Sequence, residues 1–172
     1  MTSPFSLRRA FAVYGWRGFG GDVVKPSVAS AIVFVLTAML AENPLVVLSN
    51  LIGIGLSILP TVLAILLTAY ALVLTLMNGW SFDTDQRDEA VSLIEKVNSD
   101  FAVCCVFSVI GILIFFAVSF FNSLGLAPNA PWWVCPSLSC LLSFVFLICI
   151  EVIVDLIRGV FNCGQTLAFK WK

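Results

Sequence analysis

Long stretches of this chain carry almost no charge, and that feature limits the possible folds most strongly. Glu42 is the only charged residue between residues 27 and 77, and residues 134–150 have none. Charged residues make up 11% of the chain, against about 25% in soluble domains, and the mean hydropathy is +1.07. A run of about 20 apolar residues is long enough to cross a bilayer as a helix. We therefore predict an all-α integral membrane protein.

Turn signals divide the apolar stretches into four predicted transmembrane helices, at about 26–41, 50–77, 101–121 and 133–157. The first ends at the AENP segment (41–44), because Pro44 disfavours helix at the preceding residue. Residues 1–25 are predicted to form a cytoplasmic segment that starts as an N-terminal interfacial helix. Residues 78–100 are predicted to form a helical cytoplasmic loop that runs into the third span, and 158–172 a cytoplasmic tail.

The basic residues predict the orientation of these spans. Cytoplasmic loops of membrane proteins are enriched in Lys and Arg. The connections at about 42–49 and 122–132 contain neither residue, so all nine basic residues fall on one predicted side. We expect an inner (plasma) membrane protein with both termini in the cytoplasm. The basic residues of the two termini form a candidate working surface: Arg8, Arg9, Arg17, Lys170 and Lys172.

The composition gives little support for catalysis. The chain has no His, which removes the usual general base and the commonest metal ligand. Its six cysteines contain no C-x-x-C pair, and we interpret them mainly as small buried apolar residues. Cys135 and Cys140, near one membrane face, are the one pair that could form a disulfide. We expect no enzymatic activity, no cofactor and no metal site.

Small or polar side chains recur along the second predicted span at steps of three or four residues, so they share one stripe of the helix. We expect the opposite face, rich in Leu, Ile and Val, to meet lipid. Two interpretations of the stripe stay open: a seam for close helix packing, or the lining of a hydrated path in an oligomer. The stripe consists of Asn50, Gly53, Ser57, Thr61, Ala64, Thr68, Ala71, Thr75 and Asn78.

The last span ends in a charged cluster of Glu151, Asp155 and Arg158, which share one helix face. Ionisable residues at membrane depth normally face a bundle interior or water. Asp155 and Arg158 can pair directly, and pairing with Arg8, Arg9 or Arg17 would hold the cytoplasmic ends together. A ring of these acids at the mouth of an oligomeric path is the alternative. A proton-coupled transporter is disfavoured, because we expect no ionisable group in the other spans.

The connection between the second and third spans is acidic. Residues 79–100 hold six acidic and two basic residues, a net charge of −4. This loop either docks on basic termini, those of its own chain or of the next subunit, or binds a cytosolic protein. The candidate partner-binding residues are Asp83, Asp85, Asp88 and Glu89.

Taken together, these features predict an oligomeric membrane anchor or sensor subunit that recruits a cytosolic partner, with an oligomeric ion-conducting pore as the alternative. We expect no direct binding to nucleic acid. In its short length, four predicted spans and cytoplasmic termini, the chain resembles the small membrane subunits of bacterial phage-defence systems, such as the membrane component of Kiwa. That resemblance implies sensing of phage attack at the envelope and recruitment of a cytosolic, DNA-binding effector.

Overall fold

The computed structural model describes residues 16–78, 87–126 and 130–170, and all the regular structure in these ranges is helical. Four helices follow one another: α1 (Trp16–Met39), α2 (Pro44–Asn78), α3 (Arg87–Ser123) and α4 (Val134–Lys170). Three apolar stretches are long enough to cross a membrane, namely Pro44–Leu72, Ile94–Ser123 and Val134–Asn162. The apolar part of α1, Val23–Met39, is shorter.

Local sequence explains where the helices begin and end. The Asn43 side chain caps α2, because its Oδ1 accepts a hydrogen bond from the Leu45 amide at 3.1 Å, and Pro44 occupies the first helical position. The helix α3 stops before Gly125, whose φ of 69° is favoured by the absence of a side chain. The helix α1 continues through Pro26.

Two of the helices extend well past the boundaries expected for their spans. The helix α3 is continuous from Arg87 to Ser123, so the end of the predicted loop and the third span form one rod, as the sequence predicted. The helix α4 runs to Lys170, so most of the predicted tail belongs to the same helix as the last span. Residues 16–25 of the predicted N-terminal segment likewise belong to α1.

The packing centres on α4, which contacts all three other helices, whereas α1 barely touches α2. The helix α3 runs antiparallel to both α2 and α4. Asn122, near the end of α3, approaches Ser49 near the start of α2, and Phe115 packs edge-to-face on Phe146 at 6.5 Å.

Two apolar clusters fill the bundle at different heights. One is centred on Phe101, Val103, Cys104 and Val152, near the charged end. The other contains Leu48, Leu59, Phe115 and Leu142. The large apolar face of α2 lies inside the bundle. Our expectation that this face meets lipid is wrong, because α3 and α4 cover it: Leu48, Ile52, Leu59 and Leu66 are all buried.

Candidate functional sites: the charged junction and the outer face of α2

One end of the bundle gathers charged side chains from α1, α3 and α4. We call this set the charged junction: Lys25, Lys96, Asp100, Glu151, Asp155 and Arg158. An aromatic contact fixes α2 to α3 beside it. Tyr70 stacks on Phe101 with ring centroids 4.0 Å apart, and its hydroxyl donates a hydrogen bond to Asn98 Oδ1 at 2.8 Å.

Glu151, the deepest charge of the predicted cluster on α4, pairs with a residue that was not among its predicted partners. Glu151 Oε1 lies 3.5 Å from Lys25 Nζ on α1, and the glutamate side chain is 22% exposed while the lysine side chain is 72% exposed. The sequence favoured Arg8, Arg9 or Arg17 as the partner. Arg8 and Arg9 lie outside the described residues, as does the side chain of Arg17.

The predicted pair between Asp155 and Arg158 is confirmed. Arg158 donates to Asp155 Oδ1 at 3.1 Å, one turn along the same helix. Both side chains are partly exposed, so this pair adds little to stability by itself. The effect of this ion pair is local: the Arg158 guanidinium offsets the charge of the Asp155 carboxylate at this end of α4.

Asp100 is a member of the junction that sequence reasoning missed. From the sequence we assigned Asp100 to the cytoplasmic loop and expected no ionisable group in the first three spans. Asp100 instead lies within the apolar stretch Ile94–Ser123 and is only 8% exposed. Its spacing from Val97 and Cys104 places it on the buried face of α3, and that spacing could have revealed it.

A glycine on α4 makes room for this carboxylate. An ideal Cβ on Gly159 would lie 3.1 Å from Asp100 Oδ2, which is tighter than ordinary van der Waals contact. The absence of a side chain at Gly159 therefore lets a charged group of α3 sit directly against the α4 backbone.

The small-residue stripe of α2 points away from the rest of the chain. It lies nearly opposite the buried face of α2 and is exposed throughout its described part. We call these residues the outer face of α2: Asn50, Gly53, Ser57, Thr61, Ala64, Thr68, Ala71 and Thr75. The side chain of Asn78 is outside the described residues.

The threonine hydroxyl groups of this face are satisfied within α2. Thr61, Thr68 and Thr75 each donate to the backbone carbonyl oxygen four residues earlier, at 2.8, 2.9 and 2.8 Å. A shallow groove of about 720 Å³ follows the face past Pro60. At these three threonines the outer face can therefore meet an apolar partner without leaving a hydroxyl donor unpaired.

The chain does not bring its two candidate sites together. The outer face of α2 is turned away from α3 and α4, while Glu151 and Asp155 lie on α4. Within one chain, the hydroxyl stripe and the acidic cluster therefore do not line a common surface.

Most of the remaining candidate residues fall outside what the structure describes. Residues 79–86 are outside it, including Asp83 and Asp85, and so is Lys172. The backbone at Asp88, Glu89 and Lys170 is helical, but the positions of those side chains are not described.

Among the cysteines whose side chains the structure describes, which include Cys135 and Cys140, none forms a disulfide. In this part of the chain no three His, Cys, Asp or Glu side chains come together in a way that could hold a metal ion. Comparison with known proteins found no matching family model, curated protein or solved structure.

Proposed function

We propose that this chain is a subunit of an oligomeric membrane assembly that anchors or regulates a cytosolic protein. In this proposal it crosses the inner membrane four times, with both termini in the cytoplasm. The observation that carries the proposal is the outer face of α2, an uncharged surface of small residues that no other part of the described chain covers.

The spacing of the outer face supports a helical partner. Ser57, Ala64 and Ala71 are seven residues apart, and so are Thr61, Thr68 and Thr75. A seven-residue repeat keeps a stripe facing a partner helix that crosses in the left-handed sense. In lipid, small side chains favour such contacts because the two backbones can approach closely. Another copy of α2 offers the same surface, and symmetric contacts of this kind are the usual way that identical chains associate.

The position of α1 supports a fourth span. Val23–Met39 provides roughly 25 Å of helix, close to the ~30 Å hydrocarbon thickness. The helix lies along α4, with Lys25 beside Glu151 and the turn to α2 at the opposite end. A short span beside a longer helix is tolerated by modest thinning of the bilayer.

Coupling to a cytosolic partner is supported by the lengths of α3 and α4. Both continue past their apolar stretches, from Ile94 back to Arg87 and from Asn162 on to Lys170. A continuous helix transmits a tilt or rotation of its membrane part to its outer end. The acidic segment that contains Asp83, Asp85, Asp88 and Glu89 precedes or begins α3, so it is placed to follow such a movement.

The test of assembly is the mass of the complex in mild detergent or nanodiscs. Ala64→Leu combined with Ala71→Leu places two large side chains on the outer face and should reduce the complex to a monomer. Ala117→Leu is the matched control, because Ala117 is also exposed but lies on α3. A wild-type monomer, or a complex that both variants leave intact, would contradict the proposal.

The test of recruitment is purification from the native cells, with every co-purifying protein identified. Reversing the charges at Asp83, Asp85, Asp88 and Glu89 should release a soluble partner while the oligomer persists. If no soluble protein is bound by the wild type, the anchoring role fails.

The resemblance noted above makes phage defence the setting that we propose. Loss of the chain should then raise the efficiency with which phage form plaques.

An ion-conducting pore is the second candidate, favoured by the exposed hydroxyl groups of Thr61 and Thr68. Because those hydroxyls donate to their own backbone, only their acceptor lone pairs would face a lumen. Conductance in planar bilayers should then fall for Thr68→Val and be unaffected by Ala117→Leu. A purified oligomer that conducts no ions excludes this function.

A further inference from the structure

We infer that Asp100 is the docking point for the N-terminal segment, whose Arg8 or Arg9 guanidinium pairs with the Asp100 carboxylate. The N-terminal segment is residues 1–15, which precede α1 and lie outside the described residues. This docking takes place within a single chain, so it requires neither the proposed oligomer nor the proposed cytosolic partner.

Asp100 is the acid of the charged junction for which the described residues supply no counter-charge. Glu151 pairs with Lys25, and Asp155 pairs with Arg158. Asp100 takes part in neither pair. It is nevertheless the buried one of the three acids, with 8% exposed, whereas Glu151 and Asp155 are partly exposed.

The surroundings of Asp100 make a missing counter-charge costly. Its carboxylate lies against the backbone of Gly159, within the apolar stretch Ile94–Ser123. Lys96 is one turn earlier on α3, but this residue is exposed and forms no ion pair with Asp100 in the described part of the chain. A carboxylate shielded from water needs a cation beside it.

An arginine suits this position better than a lysine. Its guanidinium is more weakly hydrated than an ammonium group, so less solvation is lost when it leaves water. It can also donate two parallel hydrogen bonds to one carboxylate. Arg8 and Arg9 are the basic residues of the N-terminal segment, which contains no acidic residue to compete for them.

The register of α1 on α4 brings the N-terminal segment to the level of Asp100. Lys25 lies beside Glu151, and α1 runs from there to the start of α2 at the opposite end, against the direction of α4. The first residue of α1, Trp16, lies about 13.5 Å beyond Lys25 on helical rise, and Gly159 lies about 12 Å beyond Glu151 in the same direction. The chain therefore enters α1 level with the contact between Gly159 and Asp100.

The segment is long enough to make the contact. Arg9 precedes Trp16 by seven residues, and an extended chain covers up to about 3.5 Å per residue, or about 24 Å in all. A helix with its side chains is about 10–12 Å wide. The segment can therefore pass over the end of one helix and place an arginine on the next.

A docked N-terminus favours one of the two interpretations of the acidic loop. Arginines that pair with Asp100 are not available to the acids of residues 83–89, so those acids stay open to a cytosolic protein. This consequence rests on the proposed function, whereas the contact at Asp100 does not.

The test is photo-crosslinking of the full chain in nanodiscs of zwitterionic phosphatidylcholine. Phe11, two residues after Arg9, is replaced by p-benzoylphenylalanine, which keeps an aromatic side chain. Illumination should link residue 11 to peptides of α3 or α4 around Asp100 and Gly159, identified by mass spectrometry. Asp100→Asn, and Arg8→Gln combined with Arg9→Gln, should each lower the yield of this link severalfold.

Controls make the result specific to the pair. Glu42→Gln removes one negative charge at the opposite end of the bundle and should leave the yield unchanged. Mixing isotopically light and heavy chains shows whether the link forms within one chain. The inference is overturned if Asp100→Asn leaves the yield intact, or if the link joins different chains. It also fails if the link requires anionic lipid instead of Asp100, because lipid phosphates then hold the arginines.

Trypsin distinguishes undocking of the segment from general loosening of the fold. In Asp100→Asn, cleavage after Arg8 or Arg9 should become severalfold faster than in the wild type. Cleavage after Lys96 and Arg158, which lie within α3 and α4, should stay as slow as in the wild type. If the helical sites open together with the N-terminal sites, the bundle has loosened and the inference fails.

Discussion

Two nearby glycines in α2 have different surroundings, and the difference shows which face of α2 packs against α3. An ideal Cβ on Gly55 would overlap the ring of Phe115, which is 1% exposed, whereas a Cβ on Gly53 meets nothing within 4 Å. Gly55 therefore permits the close contact of α2 with α3, while Gly53 lies on the outer face. Together, these two glycines indicate which side of α2 is turned toward α3.

We predict that Gly55→Ala lowers the stability of the fold by about 1–3 kcal/mol, the usual cost of overpacking a filled core. Gly53→Ala should be neutral or stabilising by up to about 1 kcal/mol, because Ala is the better helix former. Reversible unfolding in mixed micelles measures both. The opposite ranking would mean that α2 presents a different face to α3.

At the scale of helices, the bundle combines two kinds of contact. Between α2 and α3 the contact is mainly apolar, with Tyr70 and Phe101 stacked near the charged end. Between α3 and α4 an apolar seam ends in a polar contact, where Asp100 lies against Gly159. The helix α1 is attached by close packing and the Lys25–Glu151 pair.

The contact between Asp100 and Gly159 can be tested by a double-mutant cycle. Gly159→Ala should destabilise the wild type, because the new methyl group crowds Asp100 Oδ2. In an Asp100→Ala background the same change should be neutral or stabilising, since the crowding is gone and Ala favours helix. We expect a coupling energy of about 1 kcal/mol from unfolding measurements. Additive effects would show that the two helices do not meet at these residues.

At the scale of the whole molecule, the charged residues of the described part are concentrated at one end, and the other end carries Glu42. The charged junction and the extensions of α3 and α4 lie at one end, and the short turn between α1 and α2 lies at the other with Trp132 and Trp133. Trp is enriched at membrane interfaces, so the tryptophans suit the opposite surface of the bilayer. This polarity supports the proposed orientation with the charged end in the cytoplasm.

The proposed four-span topology predicts the location of four sites. A tag at the N-terminus and reporters at residue 86 and the C-terminus should be cytoplasmic, while a reporter at residue 42 should be on the other side. If α1 does not cross, the N-terminal tag and the residue 42 reporter will lie on the same side. Reporter fusions or impermeant thiol labelling of intact cells distinguish the two results.

Several features of this protein follow from the sequence alone. The uncharged runs are long enough to span a bilayer. They predict helices, because backbone groups in lipid must be hydrogen-bonded within their own segment. The three-to-four-residue spacing places the α2 stripe on one face, and the spacing of Asp155 and Arg158 allows their pairing. These are properties of a single helix, so local sequence is sufficient to predict them.

Other features depend on which helices are neighbours, and only the tertiary structure decided them. The stripe of α2 could have faced α3 and α4; instead Leu48 and Leu59 fill that contact. Glu151 could have paired with several basic residues, and the register of α1 on α4 selects Lys25. From the sequence, Asp100 was assigned to the loop. In the structure α4 packs over it, and the absence of a side chain at Gly159 leaves room for its carboxyl group. The physical reason is the same in each case: the sequence determines which faces a helix has, and packing determines which face is covered.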